Sequence, residues 1–109
     1  EHIQKWKITA LSMRALDERG VRAVMEEAIA VATRDAAGLW VSFDMDVIDP
    51  DEAPGVGTPV AGGITYREAH LAMEMLHDRA QIVAIDLVEV NPVLDTQNMT
   101  GILAAAQLK

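Results

Sequence analysis

The segment Leu39-Trp-Val-Ser-Phe-Asp44-Met-Asp46-Val-Ile-Asp49-Pro50 decides the fold, because an apolar run here ends in acidic residues and then in a proline. The run 39–46 predicts a strand, and its apolar character on both faces is typical of a parallel sheet covered by helices. Side chains alternate along a strand, so the spacing places the carboxylates of Asp44 and Asp46 on the same side. Two acids this close need a cation between them or a proton on one of them, and ligands of α/β sheets bind at the carboxyl ends of the strands. We therefore predict a metal site.

Apolar periodicity predicts the elements on either side of this strand. We expect a strand at 7–13, a turn at 17–20, a helix at 21–36, a loop at 47–64, a helix at 66–78, a strand at 82–90 and a last helix that runs from about residue 99 to the C-terminus. Thr65 and Glu68 fit a capping box at the start of the second helix. The alternating order implies right-handed parallel crossovers, and hence an α/β fold in which a parallel sheet has flanking helices in three α/β/α layers.

The predicted loop at 47–64 is unusually long for a compact domain. It holds three of the four prolines and four of the seven glycines. Loops longer than about 12 to 15 residues are usually functional or disordered. Because this loop leaves directly from the two aspartates, we expect it to be functional.

Composition narrows the class of protein. The 109 residues make one domain or part of one, and about half of them are apolar, enough for a core. The net charge of −8 argues against nucleic acid or an anionic membrane as a partner. The absence of cysteine excludes disulfides and zinc–thiolate sites and leaves the cytoplasm as the default compartment, and no apolar run is long enough to span a membrane. The chain starts without methionine and ends inside an apolar helical pattern, so we expect a piece of a longer protein.

Three acidic residues lie at the carboxyl ends of the two central predicted strands. Asp44 and Asp46 end the first strand, and Glu89 ends the second. If the strands are neighbours in register, the three carboxylates converge on one edge beneath the long loop. Oxygen ligands of this kind suit Mn²⁺ or Mg²⁺.

Each of these residues also has a simpler interpretation. An Asp-x-Asp pair can be a turn that caps its own N–H groups, and Glu89 can be a solvated strand end. Asp86 lies among apolar residues and is better explained as an internal hydrogen-bonded acid than as a ligand. Thr58, between Gly57 and Pro59, can face the edge with its hydroxyl. The remaining candidates are interpreted as follows: Asp49, Asp51 and Glu52 as turn formers, Gly55 and Gly57 as a weak phosphate-binding pattern, and His2, His70 and His77 without a role.

Two families share an apolar strand that ends in Asp-x-Asp. Phe43-Asp44-Met-Asp46-Val47 resembles the motif of haloacid dehalogenase-like phosphatases, in which the first aspartate is a nucleophile and the second an acid/base. Those enzymes also need a downstream lysine, and the only lysine after Lys7 is the terminal Lys109. This match is therefore the weaker one.

The whole chain is more similar to the ureohydrolase family, and within it to arginases. Three motifs in order carry the resemblance: Ser42-Phe-Asp-Met-Asp-Val-Ile-Asp-Pro50, the loop and capping box of Ala53-Pro-Gly-Val-Gly-Thr-Pro-Val-Ala-Gly-Gly-Ile-Thr-Tyr-Arg-Glu68, and Val88-Glu-Val-Asn-Pro92 with Asp95. The resemblance implies that 1–109 is the C-terminal portion of a parallel α/β domain. It also implies hydrolysis of L-arginine to L-ornithine and urea with two Mn²⁺ ions, which make a nucleophile available near neutral pH.

The resemblance also implies roles for individual residues. Asp44 and Asp46 correspond to metal ligands, Glu89 to the residue that receives the guanidinium group, and Thr58 to a residue that orients it. The small-molecule partner is a guanidino substrate, L-arginine or, in the related agmatinases, agmatine. We expect no nucleic acid or membrane partner, and a homo-oligomer in the intact enzyme.

The family's remaining metal ligands are missing from the sequence. They lie in a Gly-Gly-Asp-His motif and an Asp-Ala-His-x-Asp motif, and neither motif occurs in the 109 residues, nor does the histidine proposed to shuttle protons. We therefore expect an incomplete metal cluster in this chain alone. We also expect its exposed apolar surface to make it associate unless it is completed.

Overall fold

The computed structural model describes residues 5–109, which form three helices and a two-stranded parallel sheet. The elements in chain order are helix α1 (Met13–Ala32), strand β1 (Leu39–Asp44), a short 3₁₀ helix (Met45–Val47), helix α2 (Tyr66–Arg79), strand β2 (Ile82–Val88) and helix α3 (Met99–Gln107). The predicted parallel α/β sheet with flanking helices is confirmed. Among the helices of residues 5–109, none is both long enough and apolar enough to cross a bilayer.

The N-terminal elements differ from the prediction. Residues 8–12 have no regular structure and α1 begins at Met13, so the strand predicted at 7–13 is wrong. A strand needs a partner for its backbone N–H and C=O groups, and no described residue pairs with this segment. The predicted turn lies inside α1, where Gly20 leaves helical geometry at φ 78° and ψ 158°. The helix then ends at Ala32, four residues before the predicted end.

The strands are also shorter than predicted. β1 ends at Asp44 because the chain folds into the 3₁₀ helix at Met45, and β2 ends at Val88 because Glu89 has a left-handed backbone with φ 65°. A residue in that conformation cannot continue an extended strand. The last helix stops at Gln107 and does not reach the chain end.

Helix α2 begins as the sequence predicts. The Thr65 hydroxyl accepts a hydrogen bond from the Glu68 N–H, and the Glu68 carboxylate accepts one from the Thr65 N–H, so the capping box is confirmed. A second acid, Glu52 in the preceding loop, accepts the N–H of Tyr66 at 2.9 Å. These bonds fix the end of the loop to the helix.

The core lies under the long loop, which we define as residues 48–64 and call the connecting loop. Its fully buried apolar residues come from the 3₁₀ helix, the connecting loop, α2 and α3: Met45, Ile48, Ala53, Val56, Ala69 and Ala104. Phe43 of β1 and Leu87 of β2 pack against this cluster from one sheet face. Trp40, in contrast, is 73% exposed. The described residues therefore cover one face of the sheet and leave much of the other exposed.

Candidate active site

The two strands end side by side. β1 and β2 pair in parallel, Asp44 is opposite Val88 in the register, and Glu89 follows directly. The prediction that the acid-bearing strands are neighbours in register is therefore confirmed. Carboxyl ends of neighbouring parallel strands share one edge of the sheet, and that edge is where such folds bind ligands.

Asp44 and Asp46 are linked by a local turn. The Asp44 Oδ1 atom accepts a hydrogen bond from the Asp46 N–H at 2.9 Å, which starts the 3₁₀ helix. The two carboxylates therefore do not project from one side of a continuous strand, as the spacing predicted. The capped turn that was left open as the simpler interpretation describes Asp44 Oδ1 correctly.

Asp46 has one oxygen without a partner. Its Oδ1 atom is buried and accepts no hydrogen bond from any residue in 5–109. A buried carboxylate oxygen without a donor is costly, and a bound cation removes that cost. Hard oxygen donors such as Asp44 and Asp46 suit Mn²⁺ or Mg²⁺, so these two residues fit a place in a metal site.

They do not make a complete site. Within residues 5–109, no group of three or more His, Cys, Asp or Glu side chains is arranged to hold a metal ion. The predicted convergence of Asp44, Asp46 and Glu89 is thus a shared sheet edge and not a three-carboxylate metal cluster.

Glu89 is held between β2 and the connecting loop. Val90, the next residue, forms an antiparallel bridge with Val56 of the loop, and the Asn91 N–H donates to the Gly55 carbonyl oxygen at 2.7 Å. A left-handed backbone is unfavourable for a residue with a side chain and persists where the surrounding structure holds it. The flanking bonds keep Glu89 in that conformation.

Gly57 lies directly against the Glu89 side chain. A Cβ atom built on Gly57 would be 2.7 Å from Oε2 of Glu89, closer than real contacts allow. Thr58 follows at the exposed surface of the same loop. The sequence pattern indicates only a weak phosphate-binding motif at Gly57 and does not predict this contact, because two segments 32 positions apart give no local signal.

Asp49 fastens the two ends of the connecting loop to each other. Its carboxylate accepts the backbone N–H groups of Asp51, Gly62 and Gly63 at 3.0, 2.8 and 3.2 Å. The bond from Asp51, followed by that from Gly62, lowers the pKa of Asp49 against the opposing effect of desolvation. The prediction of a turn former is confirmed by the bond from Asp51, but the contact with the far end of the loop was not foreseen.

Asp95 fastens the start of α3. Its carboxylate accepts the N–H groups of Thr96, Thr100 and Gly101. Desolvation raises the pKa of Asp95, but the hydrogen bonds from Thr100, Gly101 and Thr96 outweigh it, so the net pKa is lowered. The Thr100 hydroxyl in turn accepts the Gly55 N–H at 2.7 Å, which ties α3 to the connecting loop.

The other candidates have clear places. Asp86 accepts hydrogen bonds from the Trp40 indole N–H at 2.9 Å and from the Ser42 hydroxyl at 2.6 Å, so the interpretation of a hydrogen-bonded acid is confirmed. His70 and His77 lie on α2, where the His70 ring stacks on Tyr66 with the centroids 5.5 Å apart. His2 lies outside the described residues.

Comparisons of the sequence and of the structure with known proteins all find arginases. The model of the "Arginase family" matches residues 1–109. The chain is 45% identical over 106 residues to the arginase of Brevibacillus brevis, covering 97% of this chain and 36% of that protein. The chain therefore spans about a third of the length of the curated relatives it matches.

Solved structures agree. The native arginase of Bacillus caldovelox superposes with a TM-score of 0.93 at 47% identity, over 98% of this chain and 36% of that one. The arginase of Entamoeba histolytica in complex with L-ornithine superposes with a TM-score of 0.87 at 27% identity, over 98% of this chain and 36% of that one.

Proposed function

Because the chain belongs to the arginase family, we propose that it is the C-terminal portion of a catalytic α/β domain that hydrolyses L-arginine to L-ornithine and urea. The observation that carries this proposal is the sheet edge itself. There the buried Oδ1 of Asp46, which has no donor within residues 5–109, and the side chain of Glu89 lie just beyond the ends of neighbouring strands. One residue there is suited to a metal ion and the other to a cationic substrate. Residues 1–109 supply part of the site and the rest of the protein completes it.

Asp44 and Asp46 hold manganese in this proposal. Asp46 offers Oδ1, which has no donor within residues 5–109, and Asp44 offers Oδ2, since its Oδ1 accepts the Asp46 N–H. Two Mn²⁺ ions, when bound, make a water-derived nucleophile available near neutral pH. The bond between Asp44 and the Asp46 backbone holds the Asp44 carboxylate against the first turn of the 3₁₀ helix that carries Asp46.

Glu89 binds the guanidinium group of the substrate. A carboxylate pairs with a planar guanidinium through two parallel N–H···O bonds, which fixes both the distance and the plane of the reacting carbon. The left-handed backbone of Glu89 and the bridge from Val90 to Val56 hold the side chain at the edge. Thr58, one residue after the glycine that touches Glu89, orients the same group with its hydroxyl.

The reaction balances with water alone. Water adds to the guanidinium carbon, the bond from that carbon to the substrate's side-chain nitrogen breaks, and the nitrogen leaves with a proton as the amine of ornithine. Glu89 stays ionised and keeps the carbon aligned during the addition. The histidine that the family resemblance implies for proton transfer is not among these 109 residues.

The test uses the complete protein loaded with Mn²⁺, assayed on L-arginine and on agmatine. We expect hydrolysis of L-arginine to be preferred, and Glu89→Gln and Asp46→Asn to lose most of it, Asp46→Asn with reduced Mn²⁺ content and Glu89→Gln without. A preference for agmatine would reassign the substrate to that of the agmatinases. Full activity of both variants would contradict the proposed site.

The alternative is a binding module without turnover, and titration of the 109-residue chain with Mn²⁺ separates the two. Two carboxylates without further ligands give weak binding at most, so we expect no tight two-site isotherm. Such an isotherm would mean that these residues form a complete cation site on their own.

For the complete protein we propose a cytoplasmic homo-oligomer. We also propose that it has no nucleic acid or membrane partner, in keeping with the net charge of −8 of residues 1–109.

A further inference from the structure

The backbone conformation at position 57 does not explain why this residue is a glycine. Glycines are often needed where φ is positive, and in this chain only Gly20 and Gly62 have that conformation among the described glycines. At Gly57 the constraint is space, since a Cβ atom would lie 2.7 Å from Oε2 of Glu89, and the next atom, Cδ of the same side chain, is 3.9 Å away. The missing side chain therefore leaves room for one carboxylate oxygen.

The backbone that leads into Gly57 is held by contacts with the strand end and with α3. Val56 is 1% exposed and pairs with Val90, which follows Glu89. One residue earlier, Gly55 is bonded through its carbonyl oxygen to the Asn91 N–H and through its N–H to the Thr100 hydroxyl, each at 2.7 Å. The loop and the strand end are thus joined through the two residues before Gly57 and the two residues after Glu89.

Glu89 has one way to respond to a larger residue at position 57. Its backbone is fixed in the left-handed region between β2 and the Val56–Val90 bridge, so only the side chain can turn. Turning the end of a flexible, exposed side chain costs little free energy of folding. The same turn displaces the carboxylate from its place at the sheet edge.

We propose that Gly57 is a positioning residue, whose missing side chain sets where the Glu89 carboxylate stands and thereby how a planar guanidinium ligand is held. This inference rests on the proposed role of Glu89 in substrate binding. In this proposal the contact with the connecting loop, together with the charge of Glu89, determines the geometry in which a guanidinium group binds. Two-point pairing needs the carboxylate in the plane of the ligand, so a small displacement matters.

The test is Gly57→Ala in the complete, Mn²⁺-loaded protein. We expect an unchanged urea unfolding midpoint and unchanged Mn²⁺ content, with a KM for L-arginine at least about tenfold higher, since a displacement of about 1 Å at a site can cost roughly a hundredfold. Gly55→Ala is the matched control. Its Cβ atom would lie 2.5 Å from Cβ and Cγ of Asp95, which three backbone N–H groups hold in place, so that variant loses stability.

A second variant tests whether the effect of Gly57→Ala depends on the Glu89 side chain. In Glu89→Asp the carboxylate is one methylene shorter and lies farther from position 57, so adding Gly57→Ala to it should raise KM much less than in the parent protein. Equal penalties in both backgrounds would overturn the proposal, as would a loss of stability like that of Gly55→Ala. If Gly57→Ala leaves KM unchanged while Glu89→Gln weakens arginine binding, only this inference fails. If Glu89→Gln has no effect either, the proposed function fails with it.

Discussion

The connecting loop and the two-stranded sheet differ in where they place their apolar residues. The loop has almost no regular structure, yet Ile48, Ala53 and Val56 are fully buried. The sheet is regular, yet Trp40 and Val83 are 73% and 64% exposed. Regular backbone bonding and burial are therefore separate properties in this molecule, and here it is the loop that covers the core.

The difference follows from how each region satisfies its polar groups. The strands pair with each other and need further elements to cover their faces. The loop satisfies its backbone partly through local backbone bonds and partly through the side chains of Asp49 and Thr100, and can therefore be fixed without a regular ladder. A fixed loop can hold Gly57 and Thr58 beside the strand ends.

The largest expected effect separates the core under the loop from the exposed sheet. Ile48→Ala should lower the free energy of unfolding by about 2 to 5 kcal/mol, because it leaves a cavity in the buried cluster. Val83→Ala should cost less than about 1 kcal/mol, since that side chain is mostly exposed. Urea unfolding of the 109-residue chain measures both. Similar losses at the two positions would break the contrast between loop and sheet.

A smaller effect is expected where the loop joins α2. Thr65→Ala removes the hydroxyl that accepts the Glu68 N–H and should cost about 1 kcal/mol. Thr65→Ser keeps the acceptor and should restore most of the loss. Unfolding midpoints of the three proteins check this, and an unaffected Thr65→Ala variant would mean that the cap does not fasten the loop.

The smallest effect is a dependence on pH that comes from the carboxylates of Asp49 and Asp95. The pKa of each is lowered in the folded chain, so the unfolded chain binds more protons in acid. Their contribution to the free energy of unfolding is complete at a pH above the ordinary pKa of 3.8. It is lost as the pH falls through the lower pKa of the folded state. As the pH is lowered from about 6 to about 2, the unfolding midpoint should decrease less steeply in Asp49→Asn than in the parent chain.

The matched control for this dependence is Asp51→Asn. Asp51 is two positions away and only its backbone N–H is hydrogen-bonded, to Asp49. Its replacement should leave the pH profile unchanged. A profile that Asp51→Asn flattens as much as Asp49→Asn would assign the effect to general charge and not to the loop contacts.

The sequence predicted the features that depend on local signals. The capping box at Thr65, the parallel strands and the acids at their ends all follow from short-range spacing, and the structure has them. The ends of the strands were wrong because single residues override the apolar pattern. The Asp44 carboxylate accepts the N–H of Asp46, and Glu89 takes a left-handed backbone.

The features that were missed depend on contacts between distant parts of the chain. Asp49 reaches across the loop to Gly62, and Gly57 lies against Glu89, but neither relation has a spacing rule. The predicted strand at 7–13 fails for a similar reason, since an extended segment becomes a strand only beside a partner. The metal ligation by Asp44 and Asp46 and the roles of Glu89 and Thr58 are still predictions.

The measurement that tests the account most directly is the anomalous diffraction signal of manganese in crystals of the complete protein. We predict peaks within coordination distance of the Asp44 and Asp46 carboxylates, at the edge of the sheet where Glu89 stands, with Asp46 Oδ1 among the ligands. Manganese bound elsewhere, with Asp46 Oδ1 still buried and without a partner, would contradict the proposed site.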